Sequence, residues 1–143
     1  MRTVLIALLL AACGDDGGVN YPDATAAADA NLAIDAAPAR ETIIATQSLQ
    51  PGELVEGIMN GGPNDTALIH LSAPSAKMDW NIHSHTTGHA VTVYEELGKM
   101  TVDYPFTPPG NGEWYLLIRN SGTVEMEVKI DVKLYGAMTW VWE

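Results

Sequence analysis

The chain has 143 residues, enough for one domain with a tail and too few for a multidomain enzyme. Its 18 acidic against 7 basic side chains give a net charge of −11, which excludes the clustered Lys and Arg that phosphate binding needs, so no nucleic acid is expected as a partner. A single cysteine excludes an internal disulfide framework and any multi-cysteine zinc site.

Residues 1–12 read as an address. Arg2 supplies a positive start, residues 4–10 are a short apolar run, and Ala11 and Ala12 lead to Cys13. A run this short cannot cross about 30 Å of hydrocarbon, which takes about 20 residues. It suits the apolar region of a signal peptide. The segment Leu10-Ala11-Ala12-Cys13 resembles a bacterial lipobox: an aliphatic residue, two small residues, then the cysteine that becomes the mature N-terminus. The resemblance implies diacylglyceryl transfer to the Cys13 sulfur, cleavage before Cys13 and acylation of the new amine. The other reading of these residues is an ordinary secretory leader with a free cysteine near its cleavage site. Each buried acyl methylene contributes about 0.8 kcal/mol, so two or three chains hold a protein durably to a bilayer. Loss of Arg2 takes the charge from −11 to about −12, so the lipid rather than the protein surface would do the anchoring. The lipobox places the protein in the bacterial cell envelope, at the outer membrane by expectation. Asp15 and Asp16 leave the inner membrane open.

Residues 13–40 change character. Beyond Cys13 they are rich in Ala and Asp, with Gly and Pro and almost no bulky apolar side chain. Such a segment cannot bury enough surface to offset its ordering entropy and reads as a disordered tether. A short helix over 24–37 is the competing reading, favoured by Ala but opposed by the aspartates and the short length. Either way the segment spaces the domain from the membrane.

Residues 41–143 read as all-β. Turn signals fall at Pro51-Gly52, Gly61-Gly62-Pro63-Asn64-Asp65, Pro74, Thr87-Gly88, Gly98, Pro108-Pro109-Gly110-Asn111-Gly112 and Ser121-Gly122. Between them lie strands predicted over 43–49, 54–59, 67–72, 78–83, 90–95, 100–106, 114–118 and 123–134. The last alternates strictly, with Val124, Met126, Val128, Ile130, Val132 and Leu134 on the core side. The nearly continuous apolar run from Trp114 to Ile118 suits a strand covered on both faces, with Ser121-Gly122 as a hairpin turn into the next strand. About eight strands at this spacing suit one antiparallel β-sandwich, jelly-roll-like in form.

The segment from Gly112 to Ser121 (GEWYLLIRNS) with the alternating strand after it resembles the end of a GOLD domain, and Met78-Asp79-Trp80-Asn81-Ile82 its mid-domain tryptophan strand. Leu49-Gln50-Pro51-Gly52-Glu53 is similar to the opening of a prepeptidase C-terminal (PPC) domain. Both resemblances imply a small sandwich that acts as a binding or accessory module for protein or carbohydrate. Neither transfers a binding residue to a position here.

Histidines form the one cluster with chemistry in it. His83 and His85 share a strand face with Asp79 and Asn81, opposite to Met78, Trp80 and Ile82, and so are expected to be exposed. Two neutral imidazoles about 7 Å apart along a strand can chelate Zn²⁺, Cu²⁺ or Ni²⁺. His89 is the candidate third ligand, and hairpin register decides. A three-residue loop pairs His85 with His89 and gathers all three. A two-residue loop pairs Thr86 with His89, sets Val93 opposite Ile82 and separates His89 from the pair. A periplasmic metal-binding protein is therefore the alternative to a binding module; no other cofactor is expected.

The remaining features carry less. Met59, Met78, Met100, Met126 and Met138 suit core packing better than Cu⁺ ligation. Trp140 and Trp142 share one face of the final extended segment, which suits either a partner-binding face or a closing strand. No G-x-S-x-G, P-loop, G-x-G-x-x-G or H-E-x-x-H motif occurs. Glu95, Glu96 and Asp103 read as solvated charges at strand ends, and no enzyme activity is expected.

Overall fold

The computed structural model describes residues 38–86 and 88–143. The leader, Cys13 and the tether expected over 13–40, except its last three residues, lie outside the described residues. Nine strands follow in order: β1 (Glu41–Leu49), β2 (Leu54–Gly61), β3 (Thr66–Ser72), β4 (Met78–Thr86), β5 (His89–Lys99), β6 (Thr101–Phe106), β7 (Gly112–Asn120), β8 (Met126–Tyr135) and β9 (Thr139–Trp142). They form a four-stranded sheet ordered β1-β8-β3-β6 and a five-stranded sheet ordered β5-β4-β7-β2-β9, with every neighbouring pair antiparallel. This is a β-sandwich, and its first eight strands have jelly-roll order, with β9 added outside β2.

The chain changes sheet at nearly every connection, and among the described strands only β4 and β5 are both consecutive and paired. The expected hairpin at Ser121-Gly122 is not one: β7 and β8 belong to different sheets. A buried asparagine makes that crossing. Asn120 Nδ2 donates to the carbonyls of Leu49 (2.9 Å) and Val124 (2.8 Å), while its Oδ1 accepts from the Gly122 amide at 2.8 Å. The chain is thereby held out of the ladder until Met126, and Val124 is 71% exposed rather than in the core as its parity suggested.

From Met126 onward the alternation holds, and Val128, Ile130, Val132 and Leu134 are buried against the opposite sheet. That sheet contributes Met59, Met78, Trp80, Ile82, Leu116 and Ile118. Apolar residues at every second position on both inner faces are what bring two sheets together. Between β5 and β6 the sandwich is closed by stacked rings: Tyr94 lies 4.2 Å from Tyr104, and Trp80 meets both at 5.2 and 5.4 Å. Trp80 also donates from Nε1 to Glu96 Oε2 at 3.1 Å, so Glu96 is a packing partner of the core.

The final segment is a ninth strand. It runs beside β2 with Trp140 opposite Met59 and Trp142 opposite Gly57. Trp140 is buried over Gly57, where an added Cβ would come within 1.9 Å of the indole, and Trp142 packs edge-on against it at 5.0 Å. Trp140 is therefore part of the core and not of an exposed binding face; Trp142 retains 40% exposure.

Candidate functional site

The outer face of the five-stranded sheet is where the two histidines of β4 come together. β4 places Met78, Trp80 and Ile82 inward, which turns Asp79, Asn81, His83 and His85 outward. Beside it β7 sets Tyr115 opposite His83 and Leu117 opposite Asn81, and β2 sets Glu56 opposite Leu117. The phenol ring of Tyr115 lies against His83 nearly parallel, with centroids 5.2 Å apart and planes 18° apart, and meets His85 edge-on at 4.5 Å. The expected exposure of His83 is thus overturned: it is only 5% exposed, because Tyr115, His85 and Glu56 cover it from three sides. His85 lies at the rim and is exposed.

The contacts of His83 assign its proton. Nδ1 is 2.9 Å from Asn81 Oδ1, which can only accept, so Nδ1 carries the hydrogen. The Nε2 lone pair of neutral His83 then faces His85 Nε2 at 3.2 Å, where His85 Nε2–H donates to it. Glu56 Oε1 lies 3.6 Å from the same His83 nitrogen. Burial first, and then the neighbouring His85, hold the His83 imidazole below its ordinary value, against the pull of Glu143. Glu56 is shifted the other way. Burial, then a hydrogen bond with Glu143 and its charge, raise the Glu56 carboxyl above its ordinary value, with His85 opposing. Glu143 is held there by its own amide, which donates to the Glu56 carbonyl at 3.1 Å.

His89 does not join. It pairs with Thr86 across a two-residue loop, while His85 pairs with Ala90, so the His89 side chain leaves the opposite face of the hairpin. The register nevertheless differs from the simple two-residue case: Ile82 faces Tyr94 and His83 faces Thr92, leaving Val93 as the extra residue of a bulge. A second shift between Met78 and Trp80 is accommodated at Gly98, whose φ is +64° and whose amide donates to Asp79 Oδ1 at 2.8 Å. His70 stands on the other sheet, with Nδ1 2.6 Å from Asp103 Oδ1. Met59, Met78, Met126 and Met138 are buried in the core, and Met100 is exposed.

Among the described residues, no group of three or more His, Cys, Asp or Glu side chains stands ready-made around a metal position. Next to the His85–Tyr115 contact lies an open groove of about 600 Å³, whose walls include Ser84, His85, Pro109, Asn111, Glu113 and Tyr115. Tyr115 donates from its hydroxyl to Glu113 Oε2 at 3.2 Å, which aligns the groove wall with the buried imidazole. Glu56 and Tyr115 were not anticipated as members of this site. Their parity was legible, but which strands flank β4 was not.

The fold defines the class: a jelly-roll β-sandwich with one organised polar face. No protein-family model matches the sequence, and no curated protein matches it significantly. The structure is similar to that of PliG from Aeromonas hydrophila, a periplasmic lysozyme inhibitor of g-type lysozyme, with a TM-score of 0.50 and 10% identity over 66% of this chain and 86% of that one. The Yersinia pseudotuberculosis-derived mitogen gives a TM-score of 0.47 and 13% identity over 66% and 86% of the two chains. The PliG likeness is one of fold alone.

Proposed function

We propose that this chain is a non-catalytic lipoprotein of the bacterial cell envelope, anchored at the outer membrane through Cys13, whose sandwich binds a partner protein with the outer face of its five-stranded sheet. The observation that carries the binding reading is the open groove beside His85, Tyr115 and Glu113. Its walls combine half-buried aromatic surface with fixed polar groups, the mixture found in the centres of protein-recognition surfaces. The fold shared with a periplasmic inhibitor of an enzyme makes protein, ahead of carbohydrate, the partner class to test. The lipobox-like Leu10-Ala11-Ala12-Cys13 supports the anchor, and the acidic Ala-rich stretch after it supports a spacer.

Two arms of one cell experiment test this. The wild-type chain should sediment with membranes, and Cys13→Ser should shift it to the soluble fraction. A photoreactive side chain at Glu113 should yield a discrete cross-linked adduct in intact cells. A soluble wild-type protein would overturn the anchor, and no adduct from the groove would overturn the binding face.

A further inference from the structure

Two imidazole nitrogens face each other at 3.2 Å, and a carboxylate oxygen lies 3.6 Å from one of them. In a tetrahedral zinc site with metal–nitrogen distances of about 2.0–2.1 Å, adjacent donor atoms lie about 3.3–3.4 Å apart. From this juxtaposition we infer that His83, His85 and Glu56 form a binding site for a divalent late transition metal of the Zn²⁺ class, which shares His85 with the wall of the partner-binding groove.

The surroundings of His83 suit ligation. Its Nδ1–H is committed to Asn81 Oδ1 at 2.9 Å, which fixes the tautomer and leaves Nε2 as a lone pair. A ligating histidine whose other nitrogen donates to a fixed oxygen is the usual outer-sphere arrangement. Tyr115 stacked at 5.2 Å prevents the ring from turning away. A shift of the His85 hydrogen to Nδ1 turns the two imidazoles into a two-donor chelate, and a rotation of the Glu56 side chain would bring in the third ligand. Solvent at the exposed His85 rim leaves a fourth position for water. Loading moves the His85 hydrogen from Nε2 to Nδ1, so both rings ligate as neutral imidazoles, and protons that occupy these nitrogens or the Glu56 carboxylate at lower pH compete with the ion, so affinity falls as pH falls. His89 is outside the ligand set, since it emerges from the other face of the hairpin.

The test is calorimetric titration of the purified full chain in detergent with ZnCl₂ in a non-chelating buffer, with ¹⁵N imidazole spectra recorded alongside. One ion should bind per chain, and the Nε2 signals of His83 and His85 should move while the His83 Nδ1–H is retained. His85→Ala, at an exposed position, should weaken binding at least tenfold, and Glu56→Gln should weaken it less. His89→Ala and His70→Ala should leave it unchanged. No zinc binding, binding insensitive to His85→Ala, or binding lost in His89→Ala would each overturn the assignment. A chain that ignores zinc yet cross-links from Glu113 would leave the partner-binding reading standing; one that binds zinc without cross-linking would do the reverse.

Discussion

Each sheet carries a histidine beside a carboxylate on its outer face, and the two pairs differ in kind. On the four-stranded sheet His70 lies 2.6 Å from Asp103, with side chains 49% and 77% exposed. On the five-stranded sheet His83 is farther from its carboxylate, 3.6 Å from Glu56, yet the side chains are only 7% and 18% exposed. Proximity and importance run in opposite directions here. An exposed pair exchanges water for a partner at little net gain, about 0–1 kcal/mol at most. In the embedded pair the His83 nitrogens face Asn81 and His85, Glu56 is hydrogen-bonded with Glu143, and Tyr115 stacks on the imidazole, so loss of His83 leaves groups without partners. The five-stranded sheet thus carries a layer of paired side chains outside its core.

The largest expected effect strikes the strand that carries Glu56. Gly57→Ala would place a Cβ 1.9 Å from the Trp140 ring and force β9 outward, taking Glu143 away from Glu56. Overpacking of this kind costs about 1–3 kcal/mol, and occasionally more. Chemical denaturation should show that loss, and the Glu56 titration should move down toward its ordinary value as the Glu143 contribution to its shift is removed.

Next in size is a direct contrast between the two histidines. His83→Ala should cost about 1–3 kcal/mol, since it removes a ring from beneath Tyr115 and leaves Asn81 Oδ1 without its donor. His70→Ala should fall within about 0.5 kcal/mol of wild type. Equal losses in urea melts would erase the distinction between the faces.

The smallest effect is a pair of opposing slopes in stability against pH. His83 in the folded protein titrates below its ordinary 6.5, so as pH falls from 6.5 the unfolded chain takes up a proton that the folded one refuses. Stability therefore declines toward acid through that window, down to the folded value. Glu56 titrates above its ordinary 4.5, so as pH rises from 4.5 the unfolded chain releases a proton that the folded one keeps. Its contribution is present below 4.5 and is lost as pH rises through the folded value. His83→Gln should flatten the first slope and Glu56→Gln the second, each read from melts between pH 4 and 7.

Much of the fold was legible because its signals are local. Turn residues separate short alternating runs, and Met78, Trp80 and Ile82 face inward as their parity requires. Local pattern failed where a distant group decides. Val124 has core parity, yet Asn120 captures its carbonyl and holds it outside the ladder. The pairing of Ile82 with Val93 assumed an unbroken register, and one bulged residue moved Tyr94 into that place. Within the candidate site, the His83–His85 pair follows from spacing alone. Its burial does not, because Tyr115 comes from β7 and Glu56 from β2, and sequence parity cannot say which strands will lie next to β4.

The most direct test of the organised outer layer is a ¹⁵N imidazole titration of the four histidines in the metal-free protein. His83 should appear as the Nδ1–H tautomer at neutral pH and protonate at a midpoint below 6.5. A His83 that is an Nε2–H tautomer and protonates at or above 6.5 would mean that the layer over the five-stranded sheet is not held in place.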